Sequence, residues 1–261
     1  MQDAAVKTVD RIAAILRALS AHGPAGLPLT ELAESAGLSR PTAHRLLGAL
    51  SEVGFAFQDL STRRYRLGAG AAEIGRHAWQ QHVAALAQPA LERLAALTGD
   101  TVFASVQEGG AAVCVARAVG EYPIRTLTLN VGDRRPLGVG AGSLALLAAL
   151  PEAEATQSLA RNAEWLAQFP GFGAEALPAL VARTRAEGHA WNEGRIVAAM
   201  NAVGVALPAR AGSSPVALSL AAIRDRMGPE RRPELVRALR AEAERLRDIM
   251  GETGLRQEDA A

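Results

Sequence analysis

The stretch LTELAESAGLSRPTAHRLLGAL, residues 29–50, decides the fold of the N-terminal part of the chain. Its first half predicts a short helix with Thr30 as the N-cap and Leu32 and Ala33 on one apolar face. Gly37 ends that helix after about two turns, and a second apolar pattern starts directly afterwards. Two short helices joined by a glycine-bearing turn are typical of a helix-turn-helix, whose second helix enters the major groove of DNA.

The second of these helices presents a polar, cationic face at its start. Ser39 predicts its N-cap and Pro41 falls in the first turn, where a missing N–H costs little. Hydroxyl groups there can donate to phosphates, and arginine can read guanine or bind phosphate. The residues predicted to contact DNA from this helix are Ser39, Arg40, Pro41, Thr42, His44 and Arg45. An ordinary helix hairpin with a solvated polar face is the alternative.

The flanking segments complete a larger pattern. Residues 9–19 carry an apolar stripe at three- and four-residue steps, which predicts a preceding helix. Residues 55–67 alternate apolar and polar side chains around a polar turn, which predicts a two-stranded hairpin. Helix, helix, turn, helix and hairpin form the order of a winged helix-turn-helix. Arg63, Arg64 and Tyr65 are the predicted wing contacts to DNA, and a solubilising charged edge strand is the alternative.

Beyond Gly70 the pattern changes to a mixture of helices and strands. Residues 71–88 predict a linker helix that ends before Pro89, and 90–97 a further helix. The remaining segments predict an α+β domain. Its expected strands are 101–106, 111–116, 126–131, 203–207 and 216–222, and its expected helices are 141–150, 152–160, 177–187 and 230–250.

Composition excludes several classes of protein. The 261 residues are 49% hydrophobic and hold 28 basic and 27 acidic side chains, so the chain can bury a core and lacks the cationic excess of a nucleoid-coating protein. No run approaches the roughly 18 apolar residues of a membrane span, and the charged N-terminus does not fit a signal peptide. The single cysteine, Cys114, excludes a disulfide framework. These features predict a cytoplasmic protein with no membrane partner.

Signals for catalysis are weak. Cys114 lies in a Val-Cys-Val pattern that predicts a buried thiol, and His77 and His82 stand five residues apart, which does not place them on one helix face. No nucleophile elbow, phosphate-binding loop or metal-ligand spacing is visible. We therefore expect no catalytic residue, metal or cofactor. An enzyme joined to a DNA-binding domain and a ligand-independent architectural DNA-binding protein are the rival hypotheses.

Residues 6–70 resemble the N-terminal domain of IclR-type bacterial transcriptional regulators, through TVDRIAAILRALS, the 29–50 stretch and the closing RRYRLG. GDTVFASVQEGGAAVCVAR, VGDRRPLGVGAGSLALLAALP and RAEGHAWNEGRIVAAMNAVGVALP resemble successive parts of the second domain of that family. The resemblance covers nearly the whole chain. It implies a winged helix-turn-helix over 1–70, a linker helix over 71–88, a GAF-like effector-binding domain over 89–251 and a flexible tail over 252–261. It also implies a homodimer, often a dimer of dimers, on a pseudo-palindromic double-stranded DNA operator, regulated by a small-molecule effector.

The resemblance also implies an effector pocket. The loop before the apolar helix matches Ala141 and Gly142. Asn192 stands where some members of the family have an acidic residue, Ala202 where some have a cysteine, and Ser219 matches a hydroxyl position on a late strand. These five residues are the predicted effector contacts.

The residues alone support that pocket less strongly. Glycines alternate through 138–142, which lets a backbone approach a ligand and offer amide donors, or merely allows a tight entry into the helix. Arg134 and Arg135 are the nearest cations. They can attract a carboxylate, or they can form an ordinary solvated turn.

Overall fold

The computed structural model describes residues 2–126, 128–173, 175–207 and 214–258. The chain divides into two compact units, Met1–Trp79 and Gln80–Ala261. Each unit has its own core.

The first unit is a winged helix-turn-helix, as the sequence predicts. Three helices surround one apolar core that includes Ile15, Leu19, Leu32 and Leu47, all fully buried. A two-stranded antiparallel hairpin follows, with Phe57 opposite Arg66. Its elements are α1 Gln2–Ala21, α2 Leu29–Ser35, α3 Arg40–Glu52, β1 Ala56–Gln58 and β2 Tyr65–Leu67.

One predicted cap is wrong in this unit. Helix α2 begins at Leu29 instead of after Thr30, with Pro28 at its N-cap. The backbone of Pro28 is extended, and its carbonyl accepts the amide of Leu32 at 3.1 Å. Ser39 does occupy the N-cap of α3 and accepts the Ala43 amide at 2.9 Å through its carbonyl.

The second unit is built on one six-stranded antiparallel sheet with strand order β5-β4-β3-β8-β7-β6. The chain is therefore of the α+β class, as predicted. Its strands are β3 Thr101–Glu108, β4 Ala111–Val119, β5 Arg134–Pro136, β6 Ala190–Glu193, β7 Met200–Leu207 and β8 Val216–Ile223. Its later helices are α5 Ala141–Ala149, α6 Glu152–Arg161, α7 Ala163–Leu166, α8 Ala176–Glu187 and α9 Arg232–Glu258.

A single helix, α4 Ala69–Thr98, replaces the two helices expected on either side of Pro89. Pro89 lies on the exposed side, while Ala87, Ala90 and Leu91 continue the buried stripe past it. Packing of that stripe offsets the loss of one backbone hydrogen bond at proline. At the other end of the unit, α9 extends to Glu258, into the segment expected as a tail; residues 259–261 lie outside the described part.

The sheet also differs from expectation at its edges. No strand forms among the described residues of 126–131, of which residue 127 lies outside the description. Instead β5, which contains Arg134 and Arg135, pairs with β4, and β6 forms the opposite edge. Both edge strands are too short to show the alternation that identifies a strand in sequence.

The start of α5 lies directly on the sheet. A Cβ placed on Gly204 of β7 would stand 2.5 Å from the carbonyl oxygen of Ala141, closer than a side chain allows. A Cβ on Gly142 would stand 3.0 Å from Oγ of Ser219 on β8. Two glycines thus permit the first turn of α5 to approach the two strands beneath it.

Charged side chains connect the ends of α4 and α9 within this unit. Asp100 is 4% exposed and pairs with Arg226 and Arg231, each at 2.8 Å. Farther along, Arg93 of α4 donates twice to the carboxylate of Glu242 on α9, at 3.0 and 2.7 Å.

Candidate functional site

The polar start of α3 is available on the surface of the first unit. Ala43 and Leu46 bury the opposite face of the helix in the core. The predicted contacts Ser39, Arg40, Pro41, His44 and Arg45 are exposed, and Thr42 is half-buried. Hydroxyl groups of Ser39 and Thr42 bond to each other at 2.9 Å, so the Ser39 side chain does not cap a backbone amide.

Asp59 organises the turn of the β1–β2 hairpin. Its Oδ1 accepts the Ser61 hydroxyl at 2.6 Å and the amides of Ser61 and Thr62 at 2.9 and 3.1 Å. These bonds, the Ser61 hydroxyl first, lower the pKa of Asp59 to about 2. Arg63 follows in the left-handed region at φ 58°, with its side chain exposed, and Arg64 is half-buried. The turn therefore holds Arg63 in a defined position at the tip of the wing.

Tyr65 does not belong to this surface. Its side chain is only 7% exposed and packs in the core of the unit. Its backbone exchanges hydrogen bonds with Leu27 at 3.0 and 2.7 Å. The prediction of a DNA contact through the Tyr65 side chain is corrected by this burial, because the inward-facing register of β2 directs the ring away from solvent.

All five predicted effector contacts line one cavity in the second unit. The cavity has a volume of about 640 Å³, including its opening to solvent. Ala141 and Gly142 come from the start of α5, Asn192 from β6, Ala202 from β7 and Ser219 from β8. Residues far apart in sequence are thus brought together around one hollow. Ligand binding by these residues stays a prediction.

Sequence reasoning did not identify one wall of the cavity. Thr126, Thr128 and Leu129 line it from the irregular segment where a strand was expected, and Arg135 from β5. Phe103, Val139 and Ile196 add apolar surface. The only available signal was the proximity in sequence of Arg135 to the 138–142 glycine stretch, which left a solvated turn equally possible.

Arg135 is the one charged side chain among the described residues that line the cavity. Burial lowers the pKa of its guanidinium, while the charge of Asp133 acts in the opposite direction. It donates to the carbonyl of Thr128. The cavity therefore combines apolar walls, hydroxyl and amide groups, and one cation, a combination suited to orienting a small polar ligand.

The described residues offer little for catalysis. Cys114 is 1% exposed, and burial raises the pKa of its thiol to about 12, as the Val-Cys-Val pattern indicated. No group of three or more histidine, cysteine, aspartate or glutamate side chains in the described part is arranged to hold a metal ion. Likewise, none of the described helices is long and apolar enough to cross a membrane.

Family comparisons agree with both units. Residues 8–60 match the IclR helix-turn-helix domain, and residues 76–247 match the C-terminal domain of bacterial transcriptional regulator IclR. The chain belongs to the IclR family of bacterial transcriptional regulators. An IclR-family regulator from Rhodococcus sp. has a similar structure, with a TM-score of 0.75 at 25% identity over 94% of this chain and 93% of that one.

Two other similar proteins are more distant or align over a shorter segment. The HTH-type transcriptional regulator Rv1719 of Mycobacterium tuberculosis is 33% identical over 156 residues, 59% of this chain. The alignment spans 58% of that relative's length. An IclR homolog from Microbacterium hydrocarbonoxydans, complexed with 4-hydroxybenzoate, matches with a TM-score of 0.55 at 21% identity over 92% of this chain and 97% of that one.

Proposed function

We propose that the protein is a sequence-specific transcriptional regulator whose affinity for its operator is modulated by a small carboxylic or aromatic acid. In this proposal DNA binds to α3 and the β1–β2 wing, and the acid binds in the cavity of the second unit. The observation that carries the effector half is the convergence of Ala141, Gly142, Asn192, Ala202 and Ser219 on one hollow.

The DNA-binding half is supported by the exposed cations of the first unit. Arg40 and Arg45 are exposed on α3 and Arg63 is exposed on the wing. An arginine on a recognition helix can read base edges or bind phosphate, whereas one on a wing contacts the backbone. We expect a homodimer that presents two copies of α3 about one helical turn apart, and hence a pseudo-palindromic operator.

The effector half is supported by the chemistry of the cavity. Asn192 offers both a donor and an acceptor, Ser219 offers a hydroxyl, and neither adds a negative charge that would repel an acid. The structurally similar homolog complexed with 4-hydroxybenzoate is consistent with an aromatic acid. Coupling between acid and operator is expected at about 1–3 kcal/mol and must be reciprocal, so that DNA changes the affinity for the acid by the same factor.

Two measurements on the full chain test the proposal. Selection from random duplex DNA identifies the operator, and titration calorimetry with a broad panel of acids and neutral metabolites identifies the effector. Operator affinity is then measured with and without each binder. Ser219→Leu fills the cavity beside Gly142 and is expected to abolish the response, whereas Ser219→Ala removes only the hydroxyl and should weaken effector binding by a smaller amount.

Two outcomes would contradict the proposal. If DNA footprinting shows protection of only a single, asymmetric half-site, the proposed homodimer is rejected. If calorimetry detects no binding by any compound of the panel, and Ser219→Leu leaves regulated DNA binding unchanged, the proposed effector pocket is rejected. A ligand-independent architectural DNA-binding protein is then favoured. Thermal unfolding of both variants separates these results from a simple loss of folding.

A further inference from the structure

Arg135 points toward the start of α5. Its Nη1 lies 3.4 Å from the position that a Cβ on Gly140 would occupy, and Gly140 is the N-cap residue of α5. Its other terminal nitrogen donates to the carbonyl of Thr128. The preceding Arg134 behaves differently, because it pairs with Glu108 at 2.8 Å and does not line the cavity.

Arg135 forms no ion pair within 4.0 Å in the described part of the chain, and the charge of Asp133 acts on it only from a greater distance. Asp133 is the acidic group nearest in sequence, and its carboxylate instead accepts the amide of Asn130 at 2.7 Å. A half-buried cation without a directly paired carboxylate is costly, and an anionic ligand in contact with it would offset that cost.

A second polar group in the same cavity lacks a partner. Thr126 is 2% exposed, lines the cavity, and its Oγ1 has no hydrogen-bond partner among the described residues. Buried hydroxyl groups are normally satisfied, so an isolated one marks a position for a ligand or a water molecule. The amides at the start of α5 add the positive end of a helix dipole.

We propose that Arg135, Thr126 and the first turn of α5 form a carboxylate-binding subsite that makes the cavity selective for a monoanionic acid. This inference rests on the proposed effector pocket and names the chemical class of its ligand. One cation in the lining matches one carboxylate, and a second carboxylate would meet no further positive side chain among the described lining residues. The body of the ligand then contacts apolar side chains such as Phe103, Leu129 and Ile196.

The test compares acids with their uncharged amides on the full chain. Titration calorimetry is performed with benzoate and benzamide, 4-hydroxybenzoate and 4-hydroxybenzamide, and hexanoate and hexanamide. At least one acid is expected to bind ten-fold or more tightly than its amide. Arg135→Met is expected to weaken that acid by roughly 10- to 100-fold and to leave the amide unchanged, as for loss of a charge-assisted hydrogen bond.

Two further variants keep the test decisive. Arg134→Met removes a neighbouring charge outside the cavity and should retain the preference for the acid. Thr126→Val keeps the shape of the side chain and should weaken the acid by about 3- to 10-fold through loss of one hydroxyl. It remains informative if Arg135→Met does not fold.

Equal affinity of the wild-type protein for acid and amide would overturn the inference. So would an acid preference that survives in Arg135→Met, or the absence of binding by all six probes. If a neutral metabolite from the broad panel binds and changes operator affinity, only the carboxylate subsite fails and the proposed regulator stands. A panel that gives neither heat nor a DNA response rejects both.

Discussion

Removing single arginines from α3 and from the wing should change the salt dependence of DNA binding by a predictable amount. Each phosphate contact contributes about 0.9 to the slope of log K against log salt concentration. Arg45→Ala or Arg63→Ala in a dimer removes two contacts, so the slope should become shallower by about 1.8. Between 50 and 200 mM salt, the ratio of wild-type to variant affinity should shrink by roughly 12-fold for two contacts.

The two arginines should differ in sequence dependence. Arg45 is exposed on the helix expected in the major groove, whereas Arg63 is exposed at the wing turn held by Asp59. If Arg45 contacts a base, Arg45→Ala should reduce the binding free energy by a further amount of roughly 1–3 kcal/mol per half-site on the selected operator. The reduction should be smaller on a scrambled duplex. Arg63→Ala should weaken both duplexes alike.

The affinity for both duplexes is measured by fluorescence anisotropy at about 50, 100 and 200 mM KCl, because the contribution of phosphate contacts is resolved over this range of salt concentration. Arg161→Ala, which removes an equal charge from an exposed position on α6 in the second unit, is the matched control and should retain the wild-type slope. Slopes that are unchanged in Arg45→Ala and Arg63→Ala would refute the assignment of this surface to DNA. Equal losses on both duplexes for Arg45→Ala would refute direct readout through α3.

Two other predictions concern the stability of the second unit. Asp100→Asn leaves Arg226 and Arg231 without their carboxylate and should lower the free energy of unfolding by about 3 kcal/mol in denaturant titrations. The control Asp225→Asn, at an exposed site, should change the free energy of unfolding by no more than about 0.5 kcal/mol. Equal effects of the two substitutions would contradict the argument that the buried ion pairs stabilise the unit. Burial lowers the pKa of His189 below its usual 6.5, so the unfolded chain binds this proton more readily. Stability should therefore be full above pH 6.5 and fall as the pH drops below it, and His189→Asn should reduce that dependence; an unchanged dependence would show that other groups cause it.

The sequence was most informative where periodicity is long or a turn is chemically marked. The apolar stripe of α3 and the glycine at position 37 were sufficient to predict the helix-turn-helix, and the segments that become β3, β7 and β8 were recognised as strands. The exact ends of these strands were not predicted; for example, β7 begins at Met200, before its apolar run. Pro89 was misleading, since a proline on the exposed side of a long helix need not end it.

The site was predictable only on the side that resembles the IclR family. Ala141 and Ser219 were assigned through motifs, and the cavity includes both. Thr126 and Arg135 were not assigned, since one lies in an irregular segment and the other in a three-residue edge strand. Neither type of segment has a repeating side-chain pattern, so their approach to the cavity depends on tertiary structure. The burial of Tyr65 was missed for a related reason, because a short wing strand leaves its inward face undefined.

The close approach of Gly204 to the carbonyl of Ala141 has a consequence for how the proposed pocket could accept a different ligand. The first turn of α5 cannot move closer to the strands, so in the proposed effector pocket its amides would hold their positions before a ligand arrives, and little ordering cost would fall on binding. The same rigidity also prevents this wall of the cavity, the first turn of α5, from adapting to a different ligand. A change of ligand preference would then be introduced more readily in the irregular wall around Thr126 and in the short edge strand with Arg135. Substitutions there alter charge and shape without disturbing the backbone contact that anchors the helix.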